Sequence, residues 1–260
     1  MYNKEKVGVG IITYNRPDYF KQCISKMPWH KIDECIVVKD GGGEEYESVE
    51  TNDNFLYHAF EESGGNCRSK NKAFEYLLGK GCKHIFLVED DMLIKDESIF
   101  DRYIETAYRT GVYHLMFLKV ADNMEHKRLT IDGLDLHRNP QGSFMYALDS
   151  VIKHVGDWDL GFKNAFTHVD WTYRVVQKGL MPPFWWFPDV ENSQDLIEEI
   201  PGSTENSSIT NKEKYNENWQ RSAKYWTDKY GYFTNQIPDS SEEGVIKRLN
   251  FLKKTYARAQ

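Results

Sequence analysis

Short apolar runs alternate with helical patterns through the first third of the chain. Four runs that are rich in β-branched residues predict strands, at residues 6–13, 34–38, 54–60 and 83–88. One helical pattern begins at Pro17 and a second covers residues 67–79. Near-continuous apolar strands that alternate with helices predict a mainly parallel sheet with helices on both faces.

The second half of the chain has a more mixed pattern. Residues 112–121 and 143–149 predict two further strands, separated by a polar, hairpin-like region. A helix is predicted over 168–178, and the run "FWWF" at 184–187 predicts another strand. We therefore predict an α/β domain over residues 1–202, with a Rossmann-like, mixed but mainly parallel sheet.

From about residue 203 the composition becomes polar and loop-like, and two amphipathic helices follow. Two sets of residues line up at helical spacing: Tyr215, Trp219, Ala223, Trp226 and Tyr230, and then Val245, Leu249, Leu252 and Tyr256. We predict that residues 203–260 form a helical extension that packs on the main domain. A docking surface for a partner, a membrane or an acceptor is the alternative.

Polar side chains follow the predicted strands at their carboxyl ends, where open α/β sheets bind ligands. This rule brings nine residues to one rim of the sheet: Thr13, Asn15, Arg16, Asp40, Arg68, Lys70, Glu89, Asp90 and Asp91. Gly64 and Gly65 permit a tight turn before the second helix, whose first amides are expected to be free for an anion. The rim thus predicts a site for a phosphate-bearing ligand.

The acidic triplet in "IFLVEDDMLI" (85–94) is the strongest chemical signal, because three carboxylates at the end of a buried strand need compensation. Mg²⁺ and Mn²⁺ prefer one or two carboxylates together with substrate phosphates. Side chains alternate along an extended segment, so we expect Glu89 and Asp91 on one face and Asp90 on the other. Asp91 is the predicted metal ligand; an acidic cap for the next helix is the alternative.

Composition narrows the classes of partner. The chain has 40 acidic and 33 basic residues and a net charge of −7, which argues against nonspecific nucleic-acid binding. No window offers the roughly 18 apolar residues that a membrane span requires. The four cysteines are widely separated and predict reduced thiols, so we expect a cytoplasmic protein.

Four stretches, in this order, resemble the nucleotide-sugar half of GT-A glycosyltransferases, particularly family 2. They are "VGVGIITYNRPDYFKQCI", "VVKDGG", "GGNCRSKNKAFEYLL" and "FLVEDDMLI". The "EDD" spelling is similar to the metal motif of N-acetylglucosaminyltransferase I-type enzymes. The resemblance continues through 140–162 and 168–179 and covers roughly residues 6–195.

The resemblance implies a GT-A fold with a nucleotide-sugar half at about 1–95 and an acceptor half at 96–202. It implies a UDP-linked sugar bridged to Mn²⁺ or Mg²⁺ at Asp91. The residues that would surround the nucleotide sugar are Thr13, Tyr14, Asn15, Arg16, Asp40, Arg68, Lys70, Glu89 and Asp90. GT-A enzymes often use a late histidine as a metal ligand; this chain offers only Asn192 or Asp195 there.

The catalytic base has two candidates. In the resembled families an acid near a helix start takes this role, a few residues before an arginine, here Arg174. Family 2 often has Glu-Asp where this chain has Thr167 and His168, whereas the N-acetylglucosaminyltransferase I pattern selects Asp170. Asp170 is the first choice and His168 the alternative; Asp170 could also simply pair with Arg174 one helical turn away.

Three more residues are candidate contacts of the acceptor or the sugar: Gly142, Trp158 and Asp159. The leading hypothesis is a metal-dependent inverting glycosyltransferase that acts on a hydroxyl of a glycan, lipid-linked or other acceptor. A nucleotidyltransferase that makes a sugar nucleotide, or a non-catalytic carbohydrate-binding protein on a degenerate GT-A fold, are the alternatives.

Overall fold

The computed structural model describes residues 2–43, 46, 54–118, 126–203, 205, 207 and 212–258, with backbone only for 212–214. These residues form eleven strands: β1 (Val7–Thr13), β2 (Glu34–Lys39), β3 (Phe55–Ala59), β4 (His84–Glu89), β5 (Met92–Ile94), β6 (His114–Met116), β7 (Lys127–Ile131), β8 (Leu134–His137), β9 (Phe144–Leu148), β10 (Phe187–Val190) and β11 (Ile197–Glu199). They also form seven α-helices: α1 (Pro17–Ser25), α2 (Asn66–Gly79), α3 (Ile99–Thr110), α4 (Asp149–Val155), α5 (Thr167–Gln177), α6 (Lys212–Tyr230) and α7 (Glu242–Tyr256).

The central sheet has the order β3-β2-β1-β4-β9-β6. Its first four strands run parallel, and β9 lies antiparallel between β4 and β6. The central strands β1 and β4 are buried along almost their whole length, as their continuous apolar runs predict. The predicted α/β architecture with a mixed, mainly parallel sheet is confirmed.

Two small antiparallel sheets flank the second half. One has the order β10-β8-β7 and the other pairs β11 with β5. The predicted strand at 184–187 is wrong, because Trp185 has a φ of 75° in a turn and β10 begins only at Phe187. The predicted strand at 112–121 is shorter than expected, ending at Met116, and residues 119–121 lie outside the described residues.

His114 ties the edge strand β6 to α5, the helix that carries both candidate bases. Its Nδ1–H donates to the Tyr146 carbonyl at 3.1 Å, and its Nε2 lies 3.0 Å from the Thr172 hydroxyl. Burial lowers the pKa of His114 to about 4, so the ring is neutral at pH 7. A neutral imidazole can donate at one nitrogen and accept at the other, which matches these two partners.

The helices α6 and α7 pack on the α/β domain through apolar side chains. Trp226 is completely buried, with its ring centroid 5.3 Å from Tyr173 of α5 and 4.5 Å from Tyr230. On α7, the side chains of Val245, Leu249 and Leu252 are buried. Among the described residues, no helix combines the length and the apolar character that crossing a membrane requires.

Replacing Trp226 by alanine should remove the main anchor of α6. We expect Trp226→Ala to lower the free energy of unfolding by about 3–5 kcal/mol, because it leaves a large cavity. Trp219→Ala on the same helix is the matched control, since that ring is 42% exposed and its loss should change the free energy little. Urea unfolding measures both; equal effects of the two variants would contradict the packing of α6.

Candidate active site

A cleft opens beyond the carboxyl ends of β1, β2 and β4. Seven of the predicted site residues line it: Thr13, Tyr14, Arg16, Asp40, Glu89, Asp90 and Asp91. Five further polar residues line it that the sequence did not single out: Ser63, Asn66, Asn164, Ser207 and Asn218. The cleft therefore lies where the strand-end rule places it.

Arg16 holds the second and third acids of the triplet. Its Nη2 contacts an Asp90 oxygen and lies 3.0 Å from Asp91 Oδ2. The Thr13 hydroxyl donates to Asp90 at 2.6 Å. Burial raises the pKa of Asp90 to about 6, although Arg16 and Thr13 partly oppose this. Thus Asp90 is held from two sides by residues at the end of β1.

Asp91 has one oxygen that no protein group satisfies within the described residues. Its Oδ1 is buried and has no hydrogen-bond partner there, while Oδ2 meets Arg16. Burial, and then the nearby charge of Glu89, raise the pKa of Asp91. A buried carboxylate oxygen without a partner is costly unless a ligand supplies one.

Glu89 is held from the opposite side, by α2. Asn66 Nδ2 donates to it at 2.9 Å and Lys70 Nζ lies 3.2 Å from the same oxygen. Burial alone would raise the pKa of Glu89, but Lys70 and Asn66 lower it overall. The expected alternation of the triplet is wrong, because β4 ends at Glu89 and a turn follows, so all three acids reach the cleft.

Asp40 organises the loop that leads into α2. It accepts hydrogen bonds from the Ser63 hydroxyl at 2.7 Å and from the backbone amides of Gly64 and Gly65 at 3.1 and 2.8 Å. Arg68 Nη2 and the Ser69 hydroxyl also donate to it, at 3.2 and 3.1 Å. The amides of Gly64 and Gly65, just before α2, are therefore not free for an anion, and the first amide of the helix, that of Asn66, donates to the Lys163 carbonyl.

Gly65 is required at the start of α2 for two reasons. Its φ is 91°, and a Cβ there would lie 2.4 Å from the backbone oxygen of Lys163. The amide of Asn66 donates to that same oxygen at 3.0 Å. The loop before α5 and the start of α2 are thereby fixed together beside the cleft.

The two predicted cations of α2 do not line the cleft. The Arg68 guanidinium lies 3.7 Å from the centre of the Phe60 ring and turns toward Asp40. Lys70 is 1% exposed and, besides pairing with Glu89, donates to the Gly142 carbonyl at 3.2 Å. Arg16 is thus the one cation among the residues that line the cleft within the described part of the chain.

Asn15 follows β1 in a left-handed conformation, with a φ of 49°. Its Oδ1 is buried without a hydrogen-bond partner in the described residues. A Cβ on Gly42 would lie 1.8 Å from that oxygen, so only glycine fits beside it. Asn15 itself does not line the cleft, although Tyr14 and Arg16 on either side of it do.

His168 lies in the first turn of α5, against Gly142. A Cβ on Gly142 would lie 2.8 Å from the His168 Cβ, so glycine allows the two segments to approach closely. Burial, and then the charge of Lys70, lower the pKa of His168 to about 4, while Glu89 opposes this. The imidazole is therefore neutral at pH 7 and senses the charge of Glu89, although His168, like Asp170, is not among the residues that line the cleft.

Asp170 is buried and its carboxylate already accepts hydrogen bonds from other residues, whereas a base needs an oxygen that is open to the acceptor hydroxyl. Its side chain is 1% exposed. One oxygen accepts from Arg174 Nε at 3.0 Å, and the other from Lys229 Nζ at 2.6 Å and from the Tyr230 hydroxyl at 2.7 Å. Both oxygens are occupied, and Asp170 does not line the cleft. The pairing with Arg174 is present, together with two partners on α6.

Two of the expected sugar contacts are engaged by other parts of the protein. Trp158 is 2% exposed and stacks on Trp171, with ring centroids 5.2 Å apart, so its ring is not available as a sugar contact in this structure. Asp159 accepts from Lys229 at 2.7 Å and from the Tyr225 hydroxyl at 3.2 Å. Both residues support the packing of α5 and α6 and neither lines the cleft.

Among the described residues after 164, only the uncharged Ser207 and Asn218 line the cleft. Asn192 and Asp195 are outside its lining. Within the described ranges, no three His, Cys, Asp or Glu side chains converge as a metal cluster. A metal at this site would therefore depend on few protein ligands and on oxygens that the substrate brings.

The residues that sequence reasoning missed come mostly from later in the chain. Asn164 precedes α5, while Ser207 and Asn218 belong to the segment after residue 202. Their signal in the sequence is weak, because isolated Asn and Ser are common in loops. The periodic aromatic pattern of α6 indicated packing, but it could not indicate which turn reaches the cleft.

No protein-family model matches the chain, and no curated protein matches it in sequence. Many solved structures match the chain in fold, and three of them with TM-scores above 0.5 are the following. The mannosyltransferase PcManGT from Pyrobaculum calidifontis, in complex with GDP-Man and Mn²⁺, is 10% identical, with 97% of this chain and 69% of that chain covered and a TM-score of 0.57. GalNAc-T7 with UDP, GalNAc and Mn²⁺ is 9% identical, with 77% and 44% covered and a TM-score of 0.54.

The catalytic domain of Drosophila beta1,4galactosyltransferase 7, in complex with xylobiose, is 10% identical, with 80% of this chain and 76% of that chain covered and a TM-score of 0.52. This chain spans less than half of the GalNAc-T7 chain. At such identities the likeness concerns the fold, and the chain has the GT-A fold that these structures share.

Asp40→Asn should loosen the loop before α2. The amide would present an N–H₂ group to donors that now meet a carboxylate, so we expect the Gly64 and Gly65 amides to exchange with solvent at least about tenfold faster. Hydrogen exchange measures this directly. Asp101→Asn, which removes an acid paired with Lys31 elsewhere, is the control. Unchanged exchange at both glycines would contradict the role of Asp40.

Proposed function

We propose that this chain is a metal-dependent, inverting glycosyltransferase that moves a sugar from a UDP-linked donor to a hydroxyl of an acceptor. The observation that carries the proposal is the charge of the cleft. Four carboxylates line it, from Asp40 and the triplet. Arg68 pairs with Asp40 and Lys70 pairs with Glu89. Asp90 and Asp91 are then left as two carboxylates that share the one guanidinium of Arg16 within the described residues. A diphosphate cannot enter such a cleft favourably unless a bound cation offsets the negative charge.

The donor set supports a divalent cation of the Mn²⁺ or Mg²⁺ type. Asp91 Oδ1 is a hard oxygen ligand, is buried, and lacks a partner in the described residues. One carboxylate together with two phosphate oxygens is a usual arrangement for such ions. When bound, the ion supplies Lewis-acid stabilisation to the departing diphosphate. Arg16 holds Asp91 Oδ2, and so orients the remaining oxygen.

The nucleoside end of the donor is assigned to the other side of the cleft. Thr13 at the end of β1 and Tyr14 line the cleft there, with Asn15 next to them in the turn, and Asp40 orders the loop that carries Ser63 and Asn66 into the cleft. In this role Asp40 acts through the loop, since its oxygens already accept from five protein groups. Ser63 and Asn66 are assigned to polar atoms of the nucleotide.

His168 is assigned as the base that takes the proton of the acceptor hydroxyl. It lies at the start of α5 near Glu89, whereas both oxygens of Asp170 are engaged and buried. A pKa of about 4 is that of an ordinary carboxylate, a group that serves as a general base in many enzymes. Asp170 is assigned as a positioning residue that joins α5 to α6.

Asp91→Asn should uncouple nucleotide binding from the metal. We expect UDP to bind the wild type at least about tenfold more tightly in Mn²⁺ than in EDTA, and this dependence to disappear in Asp91→Asn. Isothermal titration calorimetry with UDP measures both. Asp228→Asn on α6, an exposed acid paired with Lys224, makes the same charge change outside the cleft lining and should behave as the wild type.

UDP binding that is equally tight in EDTA would contradict the proposal. Reaction products separate it from the alternatives. Slow Mn²⁺-dependent release of UDP from a UDP-sugar is expected of a glycosyltransferase, whereas release of pyrophosphate from UTP and a sugar phosphate would indicate nucleotidyl transfer. No turnover of any UDP-sugar would favour a non-catalytic binding protein.

Two substitutions on α5 separate the base from the positioning residue. His168→Gln should lower kcat for transfer by about 100-fold or more and leave UDP binding unchanged. It should also remove the part of the acidic limb that comes from protonation of His168 near pH 4, below the pKa of about 6 of Asp90. Asp170→Asn should instead lower the free energy of unfolding by about 3–5 kcal/mol, because it breaks a buried charge cluster.

The free energy of unfolding of both variants must be measured as well, because it separates a loss of catalysis from a loss of folding. If Asp170→Asn is as stable as the wild type but loses transfer, while His168→Gln remains active, Asp170 is the base and the assignment is wrong.

A further inference from the structure

The apolar face of α6 continues beyond the part of the domain that it covers. Trp226 on this face is completely buried. Trp219, about two turns earlier, is 42% exposed, and Tyr215, about one further turn earlier, is also 42% exposed. Two large rings on one side of a helix are therefore left in contact with solvent.

These rings border the cleft. Asn218, the neighbour of Trp219, lines the cleft. The Trp219 ring packs edge-on against Phe166, with centroids 5.8 Å apart, and against Phe233 at 6.0 Å. Phe166 follows Asn164, another residue of the cleft lining, by two positions and precedes His168 by two. We call Tyr215, Phe166, Trp219 and Phe233 the aromatic platform.

The polar groups around the platform are mostly neutral. Residues 215–221 read "YNENWQR", so three amide side chains alternate with the two exposed rings. Arg221 Nη2 donates to Asn218 Oδ1 at 3.2 Å and holds that amide at the cleft edge. A membrane-binding face would need a rim of basic residues, and this stretch has one arginine and one glutamate.

We infer that the aromatic platform is a subsite for a saccharide acceptor. This inference rests on the proposed function, because it places the acceptor beside the donor cleft. The C–H face of a pyranose ring packs on an aromatic face, while its hydroxyls need donors and acceptors at the edge, which amides supply. A ring stacked on Trp219 would have the cleft residue Asn218 beside it, and Phe166, which contacts Trp219, is two residues before His168.

The platform also gives α6 a role in specificity. The α/β domain supplies most of the cleft lining and His168, whereas both exposed rings belong to α6. The acceptor class is then a saccharide with at least one pyranose ring next to the reacting hydroxyl. A simple alcohol or a peptide hydroxyl would lack a face to stack on Trp219.

The test uses the full chain and four disaccharides: cellobiose, maltose, lactose and N,N′-diacetylchitobiose. Saturation-transfer difference NMR detects binding of each to the wild type in the presence of UDP and Mn²⁺. We expect at least one to bind, and its affinity to fall about tenfold in Trp219→Ala and less than about threefold in Trp219→Phe. Trp29→Ala is the matched control, because Trp29 is 41% exposed and lies before β2, away from the carboxyl ends of the strands.

Each other outcome overturns the inference. No signal from any disaccharide, or equal affinity in Trp219→Ala, means that the platform does not bind saccharides. Binding of phosphatidylglycerol vesicles that Trp219→Ala abolishes means that it is a membrane surface. UDP binding in Mn²⁺, measured on the same samples, separates the two proposals: its absence in the wild type removes the proposed function, whereas its presence with no saccharide effect removes only the platform.

Discussion

Three adjacent carboxylates at the end of a buried strand each need a hydrogen-bond donor or a cation to offset the cost of burying a negative charge. The positions of these partners determine much of the site. Glu89 meets Lys70 and Asn66 of α2, and Asp90 meets Thr13 and Arg16 after β1. Only Asp91 keeps a buried oxygen without a partner in the described residues. Because the other charges are already compensated within the protein, the remaining demand for a cation is concentrated on one buried oxygen of a residue that lines the cleft.

The first half of the fold could be predicted well, because its strands are continuous apolar runs and parallel strands bring their carboxyl ends together. The same rule located most residues of the cleft, among them Thr13, Asp40 and Asp91. The rule failed for groups that form hydrogen bonds with residues distant in sequence. The amides of Gly64 and Gly65 before α2 donate to Asp40, and Lys229 of α6 donates to Asp170. Neither pairing leaves a pattern in local spacing.

The burial of individual aromatic residues could not be predicted from the sequence either. Trp158 was expected at the sugar and is buried against Trp171, whereas Trp219 was expected to pack and is exposed beside the cleft. Helical periodicity identifies the face on which a ring lies, but the extent of the surface beneath that face depends on the tertiary fold. In α6, therefore, Trp226 is buried and anchors the helix, whereas Trp219 is exposed beside the cleft.

The central claim is that a divalent cation bound through Asp91 allows a nucleotide diphosphate to enter an acidic cleft. The most direct measurement is anomalous diffraction at the manganese edge from crystals grown with UDP and Mn²⁺. The account predicts a single anomalous peak within about 2–2.6 Å of Asp91 Oδ1, in contact with the diphosphate. UDP bound in the cleft with no manganese peak beside Asp91 would contradict it.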